Sequence, residues 1–128
     1  MTFADDVTPY MEPMLSKLGF VLDEIKPDIV YAERRAWAAF YRGPDCKLQI
    51  CWSSREGDME FLLAPLDAPN QFGLEDGFKT WRFMLGLSDV TDDLGPPPIY
   101  GGLDKSWAWR KAKFQAHFEA ARRALLAT

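Results

Sequence analysis

The stretch that decides the fold is CKLQICWSSREGDMEFLLA, residues 46–64. In its first half the apolar side chains fall on every second position, at Cys46, Leu48, Ile50 and Trp52. A period of two is typical of a β-strand that buries one face and turns the other to solvent. Residues 54–58 then supply a turn in which Gly57 tolerates positive φ, and the alternation resumes in residues 59–64. The stretch therefore predicts a β-hairpin with one solvent-exposed face and one buried face.

Upstream of the hairpin, residues 3–18 carry apolar side chains at helical spacing. Pro9 and Pro13 each remove a backbone donor, so we expect a bent or two-piece helix that ends at Gly19. Residues 20–26 predict a strand, which residues 29–31 extend. Residues 36–42 lack alternation, which fits either a strand buried on both faces or a short helix.

Downstream of the hairpin, Asp76 is positioned to cap a short helix that carries Phe78, Trp81, Met84 and Leu85 on one stripe. Residues 88–102 are irregular, and the three prolines at 96–98 favour polyproline II. Asp104 is then expected to cap a long helix at about residues 105–126. One face of this helix carries Trp107, Arg110, Phe114, His117, Phe118, Ala121 and Leu125.

Together these elements predict one α+β domain over residues 1–128. Contiguous hairpins make the sheet antiparallel, since a parallel pair needs a long crossover. The expected architecture is a two-layer sandwich: a three- to four-stranded antiparallel meander with an N-terminal helix, a short helix and a long C-terminal helix.

Composition excludes several classes of function. The chain has 128 residues, of which 48% are hydrophobic, and a formal net charge of −4. An acidic protein is a poor non-specific binder of nucleic acid, which requires a basic surface. No apolar run is long enough for a membrane span, and we see no signal peptide, so we expect no membrane association and a cytoplasmic location.

The cysteines and the single histidine indicate no cofactor and no metal site. In a strand Cys46 and Cys51 would lie about 16 Å apart, whereas a disulfide needs Cα atoms within about 7 Å. Zinc would need more Cys or His ligands than the chain has. His117 is expected to be half-buried and satisfied by a local partner. We therefore assign no catalytic, cofactor-binding or metal-binding residue.

Carboxylates gather at two places without a recognisable site. Asp89, Asp92 and Asp93 offer the oxygen donors that calcium prefers, but EF-hand spacing is absent. Arg55, Glu56 and Asp58 lie at the expected hairpin tip, where turn chemistry explains them.

Aromatic residues near the last helix point to an interaction surface. Trp107 and Trp109 lie two apart, so their side chains point about 200° apart around a helix. One of the two must meet the proline loop, a partner or solvent. The predicted surface comprises Trp107, Trp109, Arg110 and Tyr100, residue types enriched in interface hot spots.

The segment from residue 3 to residue 87 resembles small bacterial α+β proteins of uncharacterised function, some of which act as immunity or accessory proteins beside toxins. The resemblance lies in a leading amphipathic helix that ends in Leu18, Gly19 and Phe20, followed by extended segments, a hairpin with an Arg55-containing tip and a short helix. It implies a non-enzymatic binding role and transfers no catalytic residue.

The leading hypothesis is therefore a non-enzymatic, cytoplasmic protein that binds another protein or, as a homodimer, itself. The alternative is a small-ligand domain with an apolar pocket between the sheet and the C-terminal helix. A third possibility is an enzyme, which would need two or more titratable groups with shifted pKa values in one cleft.

Overall fold

A computed structural model describes residues 4–55, 59–73 and 79–128 of the chain. The chain divides into two compact units, Met1–Phe83 and Met84–Thr128. The first holds the N-terminal helix and the sheet, and the second holds the short helix and the long C-terminal helix. The α+β fold predicted from the sequence is confirmed, with an antiparallel sheet and all three expected helices.

Pro9 and Pro13 both lie inside one α-helix, so the helix is not divided at either proline, and it ends where Gly19 predicts. A 3-10 turn at Ala4–Asp6 leads into α1, Val7–Lys17. At its end Gly19 has a φ of 87°. The Gly19 amide donates to the Ser16 carbonyl at 3.1 Å, and the Phe20 amide donates to the Leu15 carbonyl at 3.0 Å. This pair of bonds is the Schellman motif, which satisfies carbonyls that the helix leaves unpaired.

The sheet is a simple antiparallel meander with strands in chain order. Its strands are β1, Val21–Tyr31; β2, Arg34–Arg42; β3, Lys47–Ser53; β4, Met59–Ala64; and β5, Arg82–Phe83. The described residues thus form five strands rather than three or four, because the two residues of β5 pair with Leu62 and Leu63. Residues 36–42 are strand, which decides between the two interpretations of that run.

The hairpin predicted over residues 46–64 is confirmed as β3 and β4, paired from Lys47 with Ala64 to Trp52 with Met59. Its predicted turn includes residues 56–58, which lie outside the described residues. The expectation that one face of β3 is exposed to solvent is wrong. Lys47 is 2% exposed, Gln49 0% and Ser53 1%, so β3 is buried on both sides.

The polar face of β3 is buried because the chain that follows β4 covers it. We call its described residues, 65–73 and 79–81, the covering loop. Its apolar side chains join those of the sheet in one buried cluster of Ala36, Ala38, Phe40, Cys51, Leu62, Ala64, Ala68, Phe72 and Trp81. The polar side chains of β3 bond to this loop: Lys47 Nζ donates to the Ala68 carbonyl at 3.0 Å, and Gln49 Nε2 donates to the Gln71 carbonyl at 3.0 Å.

The second unit consists of α2, Met84–Leu87, an irregular segment, and α3, Gly102–Leu126. The short helix is only four residues long. Trp81 precedes β5 instead of lying on a helix, and Asp76 and Phe78 lie outside the described residues. The long helix begins at Gly102 because Gly101, with a φ of 100°, takes the N-cap position that the sequence predicted for Asp104. Asp104 instead lies in the first turn.

The apolar face predicted for α3 is confirmed. Its buried side chains are Trp107, Phe114, His117, Phe118, Ala121 and Leu125. The Phe114 and Phe118 rings stack with centroids 4.8 Å apart. Within the described part of the chain, no helix has both the length and the apolar character that crossing a membrane requires.

Candidate functional site

Of the two neighbouring tryptophans on α3, the structure buries one and ties the other to the proline-rich segment. Trp107 is fully buried, whereas Trp109 is half-buried. The Trp109 indole Nε1 donates to the Gly95 carbonyl at 3.3 Å, and Lys113 Nζ lies 5.5 Å from the centroid of the Trp109 ring. Trp109 therefore meets the loop within its own chain.

Arg110 and Tyr100, the other residues of the predicted surface, differ in exposure. Arg110 is half-buried and donates a hydrogen bond to the Ser106 hydroxyl one turn earlier. Its guanidinium lies 5.8 Å from the Trp107 ring centroid. Tyr100 is 86% exposed. The structure thus leaves Tyr100 as the member of this set most accessible to a partner.

Tyr100 belongs to the most exposed apolar segment of this unit. Residues 96–100, the sequence Pro-Pro-Pro-Ile-Tyr, are all exposed, and we call them the proline–tyrosine loop. Ile99 is 88% exposed, and Leu103, in the first turn of α3, is 40% exposed. An isolated exposed apolar residue is ordinary, whereas a large contiguous apolar patch is a candidate interaction site.

Hydrogen bonds hold the N-terminal end of the proline–tyrosine loop, and its C-terminal end leads into α3. On one side the Gly95 carbonyl accepts the Trp109 indole bond, and the Leu94 amide donates to Asp92 Oδ1 at 3.0 Å. On the other side the chain enters α3 directly through Gly101. The loop is therefore a short bridge that projects from a fixed base.

That base is a network of four polar side chains, Ser88, Asp92, Lys113 and His117, which we call the His117 network. The Ser88 hydroxyl lies 2.8 Å from His117 Nδ1, and Asp92 Oδ2 lies 2.5 Å from His117 Nε2. Because an ionised carboxylate only accepts, Nε2 carries the proton, and in the neutral ring Nδ1 accepts from the Ser88 hydroxyl. His117 was expected to be half-buried with a local partner; it is buried, and its two partners lie 29 and 25 residues away in the chain.

Electrostatics fix the charge state of Asp92. A hydrogen bond from Lys113 Nζ at 2.8 Å lowers the pKa of Asp92 most, followed by the bonds from His117 and the Leu94 amide. The pKa of this carboxyl therefore lies well below its usual range, and Asp92 is ionised at neutral pH. The arrangement resembles the base and orienting acid of a nucleophilic site, with the difference that Asp92 also neutralises a lysine.

A groove of about 470 Å³ lies beside the network, lined among the described residues by Leu87, Asp89, Ala120, Arg123 and Ala124. Ser88 lies between two of these residues in the chain, but neither its hydroxyl nor the His117 ring belongs to that lining. The Ser88 oxygen also accepts the Val90 amide at 3.1 Å. These contacts fit a side chain that anchors the loop better than a nucleophile that faces a substrate.

A second polar cluster, in the first unit, holds the covering loop. Lys47 Nζ lies 3.5 Å from Asp23 Oδ2 and donates to Asn70 Oδ1. Asn70 Nδ2 in turn donates to Asp23 Oδ2 at 2.9 Å and to Glu24 Oε1 at 3.0 Å. Hydrogen bonding from Asn70 is the largest cause of the lowered pKa of Asp23. Each polar side chain of this cluster bonds to the loop or to the sheet, so the cluster holds the loop against the sheet.

The remaining candidate chemistry from the sequence is the two cysteines and the expected hairpin tip. Cys46 and Cys51 are buried thiols, and desolvation, with a smaller contribution from Glu60, raises the pKa of Cys51. Across the described ranges, no group of three or more His, Cys, Asp or Glu side chains is arranged to hold a metal ion. Glu56 and Asp58, at the expected hairpin tip, lie outside the described residues.

Comparison of the chain with protein-family models, curated proteins and solved structures finds no match.

Proposed function

We propose that this chain functions by binding another protein, and that the proline–tyrosine loop together with Leu103 makes the contact. The observation that carries the proposal is the exposure of Ile99 and Tyr100, at 88% and 86%, on a loop whose N-terminal end is hydrogen-bonded to α3. A rigid base reduces the conformational entropy that a loop loses on binding. Tyrosine is among the residues enriched in interface hot spots.

The expected energetic weight of the loop follows from its two exposed side chains. Complete burial of one large apolar side chain stabilises by about 1.5–3 kcal/mol. Truncation of Tyr100 to alanine should therefore weaken binding about tenfold to a hundredfold. The buried thiols of Cys46 and Cys51 suit a reducing compartment, and the proposal includes a cytoplasmic location.

Photo-crosslinking in the source cells tests this function. A photoreactive residue is placed at position 99, and a matched control carries it at position 30, where Val30 is an exposed apolar residue of β1 at 73% exposure. We expect a discrete adduct from position 99 that Tyr100→Ala abolishes and an added peptide of residues 93–104 competes away. An adduct of twice the chain mass would identify a second copy of the chain as the partner.

The same adducts from both positions, or no adduct from position 99, would refute a binding role for the loop. A small-ligand function remains a prediction from the sequence.

The linked side chains of Ser88, His117 and Asp92 favour a second candidate, acyl transfer. In such a site the Ser88 hydroxyl would attack a carbonyl carbon while His117 accepts its proton; the bond from that carbon to the leaving group would then break, and the leaving group would take the proton from His117. A fluorophosphonate probe decides the matter: labelling that Ser88→Ala abolishes would support an enzyme. An unlabelled wild-type protein would leave the network with its anchoring role.

A further inference from the structure

The geometry points to a specific class of partner, and this inference rests on the proposed function. We infer that residues 96–100 form a ligand for a protein groove lined with aromatic side chains, which recognises Pro97 and Tyr100 together. The inference narrows a general apolar contact to one mode of recognition with a defined side-chain pattern.

The backbone chemistry of the segment fits this mode. Pro96, Pro97 and Pro98 have no backbone N–H, so they offer carbonyls and ring surfaces but cannot join a sheet ladder. Consecutive prolines favour polyproline II, a preformed extended helix that loses little entropy on binding. The described chain between α2 and α3 has neither helix nor strand, so the segment is available for extended binding.

The spacing of side chains selects the residues that a groove would contact. Polyproline II has about three residues per turn and rises about 3.1 Å per residue. Pro97 and Tyr100 are three apart, so they share one edge of that helix with a separation of about 9 Å. Ile99 points from a different edge. A groove that binds this edge needs a slot between aromatic rings for the proline and a pocket for the tyrosine.

The order of residues also distinguishes between two kinds of proline-binding groove. SH3-type grooves bind segments with two prolines three residues apart. Residue 99 is isoleucine, so the three prolines of this loop contain no such pair. The Pro-Pro-Ile-Tyr order instead matches a groove of the WW type, in which tyrosine replaces the second proline as the anchor.

Glycines at the junction with α3 allow the segment to reach such a groove. The chain bends at Pro96 and again from Ile99 to Gly101, where it enters α3. Gly101 and Gly102 both have positive φ, 100° and 71°, and glycine moves between such conformations at low cost. Tyr100 can therefore swing into line with the prolines while Gly95 remains bonded to Trp109.

Titration calorimetry of the full chain against two purified probes tests this inference: a WW domain that binds Pro-Pro-x-Tyr peptides, and an SH3 domain as control. We expect the WW domain to bind the chain and the SH3 domain not to bind. Tyr100→Ala and Pro97→Ala should each weaken the WW complex about tenfold or more, whereas Ile99→Ala should change it less than about threefold. All three positions are exposed, so the unfolding midpoints of the variants should match that of the wild type.

The inference is overturned if the WW domain binds a free peptide of residues 93–104 but not the chain, or if it binds neither. Equal weakening by Ile99→Ala and Tyr100→Ala, or equal binding of both probes, would also overturn it. An adduct from position 99 in cells combined with any of these results would leave the proposed function standing and remove only the aromatic-groove partner. WW binding to the purified chain without an adduct in cells would support recognition of residues 96–100 by an aromatic groove and would refute the binding role of the loop in the source cells.

Discussion

Gln49 offers the sharpest test of how the covering loop is held. Its side chain is fully buried in the middle of β3. Nε2 donates to the Gln71 carbonyl at 3.0 Å, and Oε1 accepts the Gly73 amide at 3.1 Å. Gln49→Met keeps an unbranched side chain of similar length and removes both bonds.

The cost of this change follows from what each lost partner can do. Gly73 is buried, so its amide loses its bond and gains no water, which costs about 1–3 kcal/mol. Gln71 is exposed, and water can replace the lost donor at its carbonyl. We therefore expect a loss of about 2 kcal/mol in the free energy of unfolding. At an entropy of about 2.1 cal/mol/K per residue, this corresponds to a fall in Tm of about 7 °C.

Urea unfolding followed by tryptophan fluorescence measures the loss, since Trp81 lies in the same buried cluster. Gln115→Met is the matched control, because Gln115 is exposed on α3, and it should change stability by less than about 0.5 kcal/mol. Limited proteolysis should also cut the Gln49→Met protein faster within residues 65–81. A Gln49→Met protein as stable as the wild type, or an equal loss in the control, would refute the covering-loop account.

Three further outcomes are expected. Ala32 and Glu33 form the two-residue turn between β1 and β2 with φ of 50° and 64°, so the double change Ala32→Asn, Glu33→Gly should raise the free energy of unfolding by about 1–2 kcal/mol; a lower urea midpoint would contradict this. The lowered pKa of Asp92 means that its bonds stabilise the fold above its ordinary pKa of about 4 and that this contribution is lost as the pH falls through the lowered pKa. The destabilisation by Asp92→Asn should accordingly shrink between pH 7 and pH 3 in urea titrations, and a constant difference would argue against the network. Cys46 and Cys51 are buried, so a thiol reagent should modify them only at the rate of unfolding; rapid modification of the native protein would show that a sheet face is open.

Local patterns in the sequence were sufficient for most of the fold. The period of two in β3 and β4 and the glycine after α1 depend on neighbours in the chain, and both predictions are confirmed. One face of β3 was wrongly predicted to be exposed, because polar residues at alternate positions of a strand normally face water. The groups that bond Lys47 and Gln49 lie 21 to 24 residues away in an irregular loop, which no local period reveals. The two residues of β5 are likewise too short to show alternation.

The candidate site was only partly visible in the sequence. Tyr100 was singled out for its residue type, and it is 86% exposed. Trp107 was singled out on the same ground, but it lies on the buried stripe of α3, where its spacing from Phe114 is the available signal. The partners of His117 come from the irregular segment after α2, so periodicity placed His117 on the apolar face of α3 without predicting its full burial or its partners Ser88 and Asp92.

The most direct test of the central claim is an NMR titration of the ¹⁵N-labelled chain with the protein captured from position 99. The account predicts that the amide signals of Ile99, Tyr100 and Leu103 shift first, together with the indole signal of Trp109, which bonds to the base of the loop. If those four signals stay in place while the amides of β1 move, the binding surface lies elsewhere and the account is wrong.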